Sequence, residues 1–198
     1  MDTQTNLENY RKEVLTIDIL KANLYGILLL IPIVIVFVIP YVLIWSEQFS
    51  LVSFKTWAKH LADTYFVEFV WGLLIIIIGI IFHELIHGMV FAVFAKSGFR
   101  SIKFGVLWKM LTPYCHCKEP LMVKHYILGA IMPAFVLGII PAIIAIIIGN
   151  FGLLLFGSFF TLAAIGDFMV IYILRNEKKD DFVLDHPSEA GCYIFRKE

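Results

Sequence analysis

Four stretches of this chain are each long and apolar enough to cross a lipid bilayer as one helix, roughly over residues 24–45, 66–95, 126–148 and 151–174. A span needs about 20 mostly apolar residues. Inside hydrocarbon, only a helix or a closed barrel satisfies its own main chain. The stretches therefore predict an all-α polytopic membrane protein with four transmembrane helices. Composition agrees: 60% of the 198 residues are hydrophobic, 16% are charged, and the mean hydropathy is +0.86. A soluble domain is nearer half apolar and about a quarter charged, so the surplus apolar surface must face lipid. Pro32, Pro40, Pro133 and Pro141 fall inside the first and third spans, where neighbours can satisfy the freed carbonyls and kinks are expected. Only Gly149-Asn150 separates the third span from the fourth, which predicts an antiparallel hairpin.

The formal net charge is zero, which leaves no case for nucleic acid as a partner. Local charge is more informative. Fourteen of the 16 Lys and Arg residues lie before the first span, between the second and third, or after the fourth, and only Lys55 and Lys59 lie between the first and second. The positive-inside rule then predicts a multi-pass cell-membrane protein with both termini and the middle loop cytoplasmic. Asp2 to Lys21 is mixed-charge and polar, without the pattern of a cleavable signal, so the spans are expected to do their own targeting.

The whole of 1–198 reads as one membrane-embedded domain, with a cytoplasmic insertion at 96–125 and a tail at 175–198. In the insertion Phe99, Ile102, Phe104 and Val106 alternate with polar residues from Gly98 to Lys109, and Pro113 and Pro120 bracket Tyr114 to Glu119. One or two short strands or a re-entrant hairpin are expected there. Three cysteines at irregular spacing do not suggest a disulfide framework.

Chemistry concentrates near the cytoplasmic end of the second span, at His83-Glu84-Leu85-Ile86-His87. Histidines at i and i+4 share one helix face and can bind one Zn²⁺ at about 2.0–2.1 Å. Glu84 lies beside them, placed to take a proton from water that zinc has acidified to a pKa near about 7. The bland reading is a chance grouping among six His and nine Glu. Against it, ionisable groups inside a span cost about 2.5–3.5 kcal/mol each on insertion scales, and a metal offsets that cost. A catalytic zinc usually has three protein ligands. Asp167, the only acidic residue within the fourth span, is the best third candidate, at a depth matching the histidines. Gly166 before it suggests close helix approach. The competing reading for Asp167 is a carboxyl neutralised by protonation or bonded to backbone.

Together, His83-Glu84-Leu85-Ile86-His87, the basic loop with Pro113-Tyr114-Cys115-His116-Cys117-Lys118-Glu119-Pro120, the proline-bearing third span, Gly166-Asp167 and the tail segment Asp185 to Gly191 resemble a bacterial family of integral-membrane zincin metallopeptidases. That family is similar to the site-2 intramembrane proteases, and the resemblance covers nearly the whole chain. It implies Zn²⁺ held by His83, His87 and Asp167, with Glu84 as general base. The chain departs from the site-2 pattern in Gly166-Asp167-Phe168, where that pattern has Leu-Asp-Gly. It departs again at Met132-Pro133 and Val136, where that pattern has Gly-Pro followed by Asn.

Cys115, His116 and Cys117 invite a second metal reading. In an extended segment the two cysteines share a face and His116 points away, and the spacing is shorter than zinc sites use. A loop packed over the site or a reduced thiol pair is the blander alternative, with His116 or Cys117 still able to approach the zinc from outside its ligands. His60, His125 and His186 read as solvated, and Trp45, Trp57, Trp71 and Trp108 as interface anchors.

The sequence thus points to a zinc-dependent membrane metalloprotease acting on a membrane protein or peptide. Its rivals are a catalytically silent metal-binding adaptor of the same fold and a metal transporter. The transporter is disfavoured because one three-ligand site with a base is not a relay across a membrane.

Overall fold

The computed structural model describes residues 10–108, 112–186 and 191–197. Lys109 of the insertion and residues 187–190 of the tail segment lie outside them. The expected spans are helical. Three are long and apolar enough to cross a bilayer: Leu24–Ile44, Ala62–Phe94 and Val123–Ile148. The fourth is interrupted at Ala164, giving α6 (Phe151–Ala163) and α7 (Ile165–Leu174), so it counts as a span only if the pair is one.

The first stretch is α1 (Ile19–Ile33), a π-helical turn over Val34–Val38, and α2 (Ile39–Ile44). The third repeats the device with α4 (Val123–Pro133), a π stretch over Ala134–Ile139, and α5 (Ile140–Ile148). Each π stretch precedes a helix whose second residue is proline, Pro40 or Pro141. Proline supplies no N–H and crowds the preceding turn, and the wider π turn absorbs that locally. The second stretch is α3 (Leu51–Phe94), 44 residues long. It begins well before residue 66 because Lys55, Lys59 and Asp63 interrupt hydropathy without interrupting helix propensity. Ser97-Gly98 stops it, with Gly98 at φ 58°, a conformation glycine adopts without a steric penalty.

The all-α expectation needs correction. A four-stranded antiparallel sheet has the order β1-β6-β5-β4, with β1 at Tyr10–Thr16, β4 at Leu121–Met122, β5 at Phe182–Asp185 and β6 at Gly191–Lys197. A separate hairpin pairs β2 (Ile102–Leu107) with β3 (Thr112–Cys117), Phe104 opposite Cys115. The hairpin is the strand structure expected in the insertion. The sheet was hidden because its strands are short and come from three distant segments, and strand pairing across such separations leaves no local pattern.

The described chain forms two compact units. One contains the described residues among 1–25, 83–133 and 164–198, and the other 26–82 and 134–163. In the first, Phe91, Leu121, Val123, Tyr126, Leu174, Val183 and Ile194 make a core between the sheet and the ends of α3, α4 and α7. Arg196 clamps this unit's strands, donating Nε and an amino nitrogen to Glu177 at 2.7 and 2.8 Å and pairing also with Glu13. In the second unit Ile33, Phe37, Tyr41, Ala142, Ala145 and Leu154 make the core. There α5 and α6 form the expected hairpin, with Gly149 left-handed at φ 72°. The Trp45 indole N–H donates to the Ile146 carbonyl at 2.9 Å, so this tryptophan is packed in place, unlike the largely exposed Trp57, Trp71 and Trp108.

Candidate metal centre

His83 and His87 lie on α3, one turn apart, with ring centroids 4.9 Å from each other. Both are buried, at 9% and 7% exposure. Asp167 stands in the first turn of α7, where the helix dipole favours a carboxylate. Its two oxygens divide between the histidines: Oδ2 is 3.2 Å from His83 Nε2 and Oδ1 is 3.2 Å from His87 Nε2. One ligand atom from each of the three residues lies within 4.8 Å of the others.

Two observations test whether this set suits a zinc ion. Ligand atoms about 2.0–2.1 Å from one tetrahedral ion sit about 3.3 Å apart, close to the His–Asp distances here. The second observation concerns protons. His87 Nδ1 is 2.9 Å from the Gly129 carbonyl. A carbonyl only accepts, so Nδ1 carries the hydrogen. Nε2 then faces an Asp167 oxygen at 3.2 Å, and once the ring is neutral its lone pair needs a metal cation, in place of a proton, between the two acceptors. An acceptor on the remote nitrogen is also how proteins orient metal-ligating histidines. The set fits zinc.

The approach that brings Gly129 to His87 depends on the missing side chain, because a Cβ at Gly129 would overlap the Phe91 ring. Gly166, expected to permit close helix approach, has open space beside it instead. Nothing in sequence pattern marked Gly129, since a main-chain carbonyl has no residue signature.

Glu84 follows His83 on α3, half-buried, and accepts a hydrogen bond from the main-chain N–H of Cys115 on β3. Cys117, two residues on, donates its N–H to Asp185 Oδ2 at 2.8 Å. Lys118 N–H bonds Ser101 O just before β2, so Cys115 and Cys117 present their N–H groups on the edge away from β2, as alternation requires. The insertion is thus a strand held beside the histidine helix. Among the described residues, His83, His87 and Asp167 are the one group close enough to hold a metal, and His116 and the cysteines form no second one. His116 Nδ1 instead lies 3.9 Å from Asp185, and His60 is exposed beside Glu68.

The thiols are kept protonated. Burial, with the nearby Asp185 charge, pushes Cys192 up to about 12, and burial likewise raises Cys117. Burial raises Cys115 too, helped by the charges of Glu84 and Asp185. A thiol reacts as its thiolate. Cys117 and Cys192, with 1% and 0% exposure, are therefore expected to resist iodoacetamide at pH 8 in the folded chain and to react fully after denaturation. Labelling of Cys192 in the native chain at the denatured rate would show that the β5–β6 core is open in solution.

No curated protein and no solved structure matches the chain. A family model does match, over residues 76–182, more than half of the sequence, and its description reads "Putative zincin peptidase". The matched region runs from the span carrying both histidines through the β2–β3 hairpin and past Asp167. With that match over more than half of the sequence and three convergent side chains suited to zinc, this chain belongs to the family described as putative zincin peptidases.

Proposed function

We propose that the chain is a membrane-embedded zinc metallopeptidase that hydrolyses peptide bonds, with His83, His87 and Asp167 as metal ligands and Glu84 as general base. The observation that carries this reading is the convergence of the three ligand atoms within 4.8 Å, with the Glu84 carboxylate on the helix of the two histidines and outside that group. Bound there, zinc supplies Lewis acidity toward water and toward a substrate carbonyl. Glu84 takes the proton from the attacking water as its oxygen bonds to the carbonyl carbon. The C–N bond then breaks, and Glu84 passes that proton to the departing amine, which ends neutral as the acid is released. The Gly129 carbonyl keeps His87 Nδ1 protonated and its Nε2 free to coordinate. Cys115 N–H aims the Glu84 carboxylate.

The membrane setting rests on the long apolar helices and on their outward faces. Phe66, Phe69, Trp71 and Ile78 of α3 are each more than half exposed, and contiguous apolar surface on this scale needs lipid or a partner. The substrate would be a membrane protein or peptide that reaches the histidine end of α3. Orientation follows from the skew of basic residues, with both termini cytoplasmic. The sheet supports a common side for the three basic segments, because β1, β4 and β5–β6 come from the N-terminal segment, the insertion and the tail. A C-terminal alkaline phosphatase fusion is expected to be inactive. A fusion active in the periplasm would reverse the topology and open the site to the other compartment.

The reading is tested by purifying the full chain in mild detergent for zinc analysis and by co-expressing it with a library of tagged single-span proteins. One zinc per chain and cleavage absent from Glu84→Gln are expected. Zinc without any Glu84-dependent cleavage would favour the adaptor.

A further inference from the structure

We propose that Asp185 is a positioning residue of the metal centre, a carboxylate on the tail sheet that fixes the helix face presenting the Gly129 carbonyl and through it the ring of His87. The inference rests on the zinc reading above. Asp185 ends β5, with its side chain 13% exposed. Both of its oxygens are engaged: Oδ1 accepts from the Tyr126 hydroxyl and Oδ2 from Cys117 N–H at 2.8 Å. A carboxylate this buried is costly unless its hydrogen bonds satisfy it, and these two bonds tie the sheet to α4 and to β3.

The bond to α4 leads to the metal site. Tyr126 and Gly129 are three residues apart on α4 and share a face. The Gly129 carbonyl takes the Nδ1 hydrogen of His87 at 2.9 Å. The rings between them are layered: Phe91 stacks on His87 at 5.9 Å and 12°, and on Tyr126 at 5.1 Å and 22°. Holding the Tyr126 hydroxyl therefore fixes the plane of Phe91 and the approach of the Gly129 carbonyl. The bond to β3 leads to Glu84. With Cys117 N–H held by Asp185, the strand is set so that its next outward N–H, that of Cys115, meets the Glu84 carboxylate. One side chain outside the spans thus orients both a proposed ligand and the proposed base, without touching metal or substrate.

The test uses the full chain in detergent. Zinc affinity is read by competition with a chromophoric chelator, and ligand geometry from the visible spectrum of the Co²⁺-substituted protein. Loss of an outer partner of a metal ligand typically costs about 10–100-fold in affinity. Asp185→Asn, whose amide nitrogen cannot accept from a second donor, and Tyr126→Phe are each expected to weaken zinc binding by about 10-fold and to shift the Co²⁺ bands. The double variant should lose about as much as the worse single, because the two act through one bond. Val183→Ala, a fully buried position on the same strand, should lower thermal stability while leaving affinity and spectrum unchanged. Tyr126→Phe keeps the ring and its stacking, so it decides the matter if Asp185→Asn does not accumulate. Unchanged zinc affinity in the single variants, additive losses in the double, or an equal loss in Val183→Ala would overturn the proposal. Failure of the wild-type chain to bind stoichiometric zinc would instead overturn the reading beneath it.

Discussion

Glu84→Gln is expected to keep its zinc and lose its turnover. Glu84 is not among the three side chains that converge as ligands, and Gln preserves the carbonyl that accepts from Cys115 N–H. The fold and the metal should therefore survive. What disappears is basicity, since an amide cannot take a proton from water at neutral pH. Loss of general-base help costs about 10²–10⁴-fold in rate, and added zinc should not restore it. Metal analysis and cleavage on the same purified preparation decide the question. If zinc leaves with the substitution, Glu84 is a ligand. If turnover persists, the base lies elsewhere, and the half-buried carboxylate beside the histidines has another role.

The second large effect falls on the metal itself. His83→Ala and His87→Ala should each abolish stoichiometric zinc, because the rings face one point and leave only two ligands when either is removed. Asp167→Ala should weaken binding by more than the roughly 10–100-fold typical of outer partners, and activity should fall with it. Raised zinc should refill part of the Asp167→Ala sites by mass action, which separates this variant from Glu84→Gln. Unchanged zinc in both histidine variants would place the metal outside this cluster, and unchanged zinc in Asp167→Ala would leave the third ligand to be found.

The histidine helix and Asp167 were readable in the sequence for a physical reason. Helical spacing is local, so His83 and His87 declare a shared face by number alone, and a single acid in an apolar span has few reasons to be there. The break at Ala164, which puts Asp167 in a helix's first turn, was not readable. The run from Leu162 to Ile165 is as apolar as any span, and small residues there signal only weakly. Gly166 was a plausible contact point and proves open, while Gly129, one glycine among 13, makes the close approach. Its role is a main-chain carbonyl's, which leaves no trace in residue identity. Asp185 and Tyr126 are 59 positions apart, and nothing in either neighbourhood predicts the other. The same is true of the sheet, whose β4 is two residues long.

The sheet also fixes an order of events during synthesis. β1 pairs along its whole length with β6, and β6 is made after every span. At about 5–20 residues per second, Tyr10 to Thr16 waits on the order of ten seconds or more before its partner leaves the ribosome. Through that interval it is an unpaired edge of the kind that recruits wrong strands, with Arg11, Lys12 and Glu13 as its charged protection. His83 and His87 are likewise made well before Asp167 and Asp185. A chain still being synthesised thus carries two histidines and a glutamate without the carboxylates that gather them, and proposed hydrolytic competence arrives only with the tail.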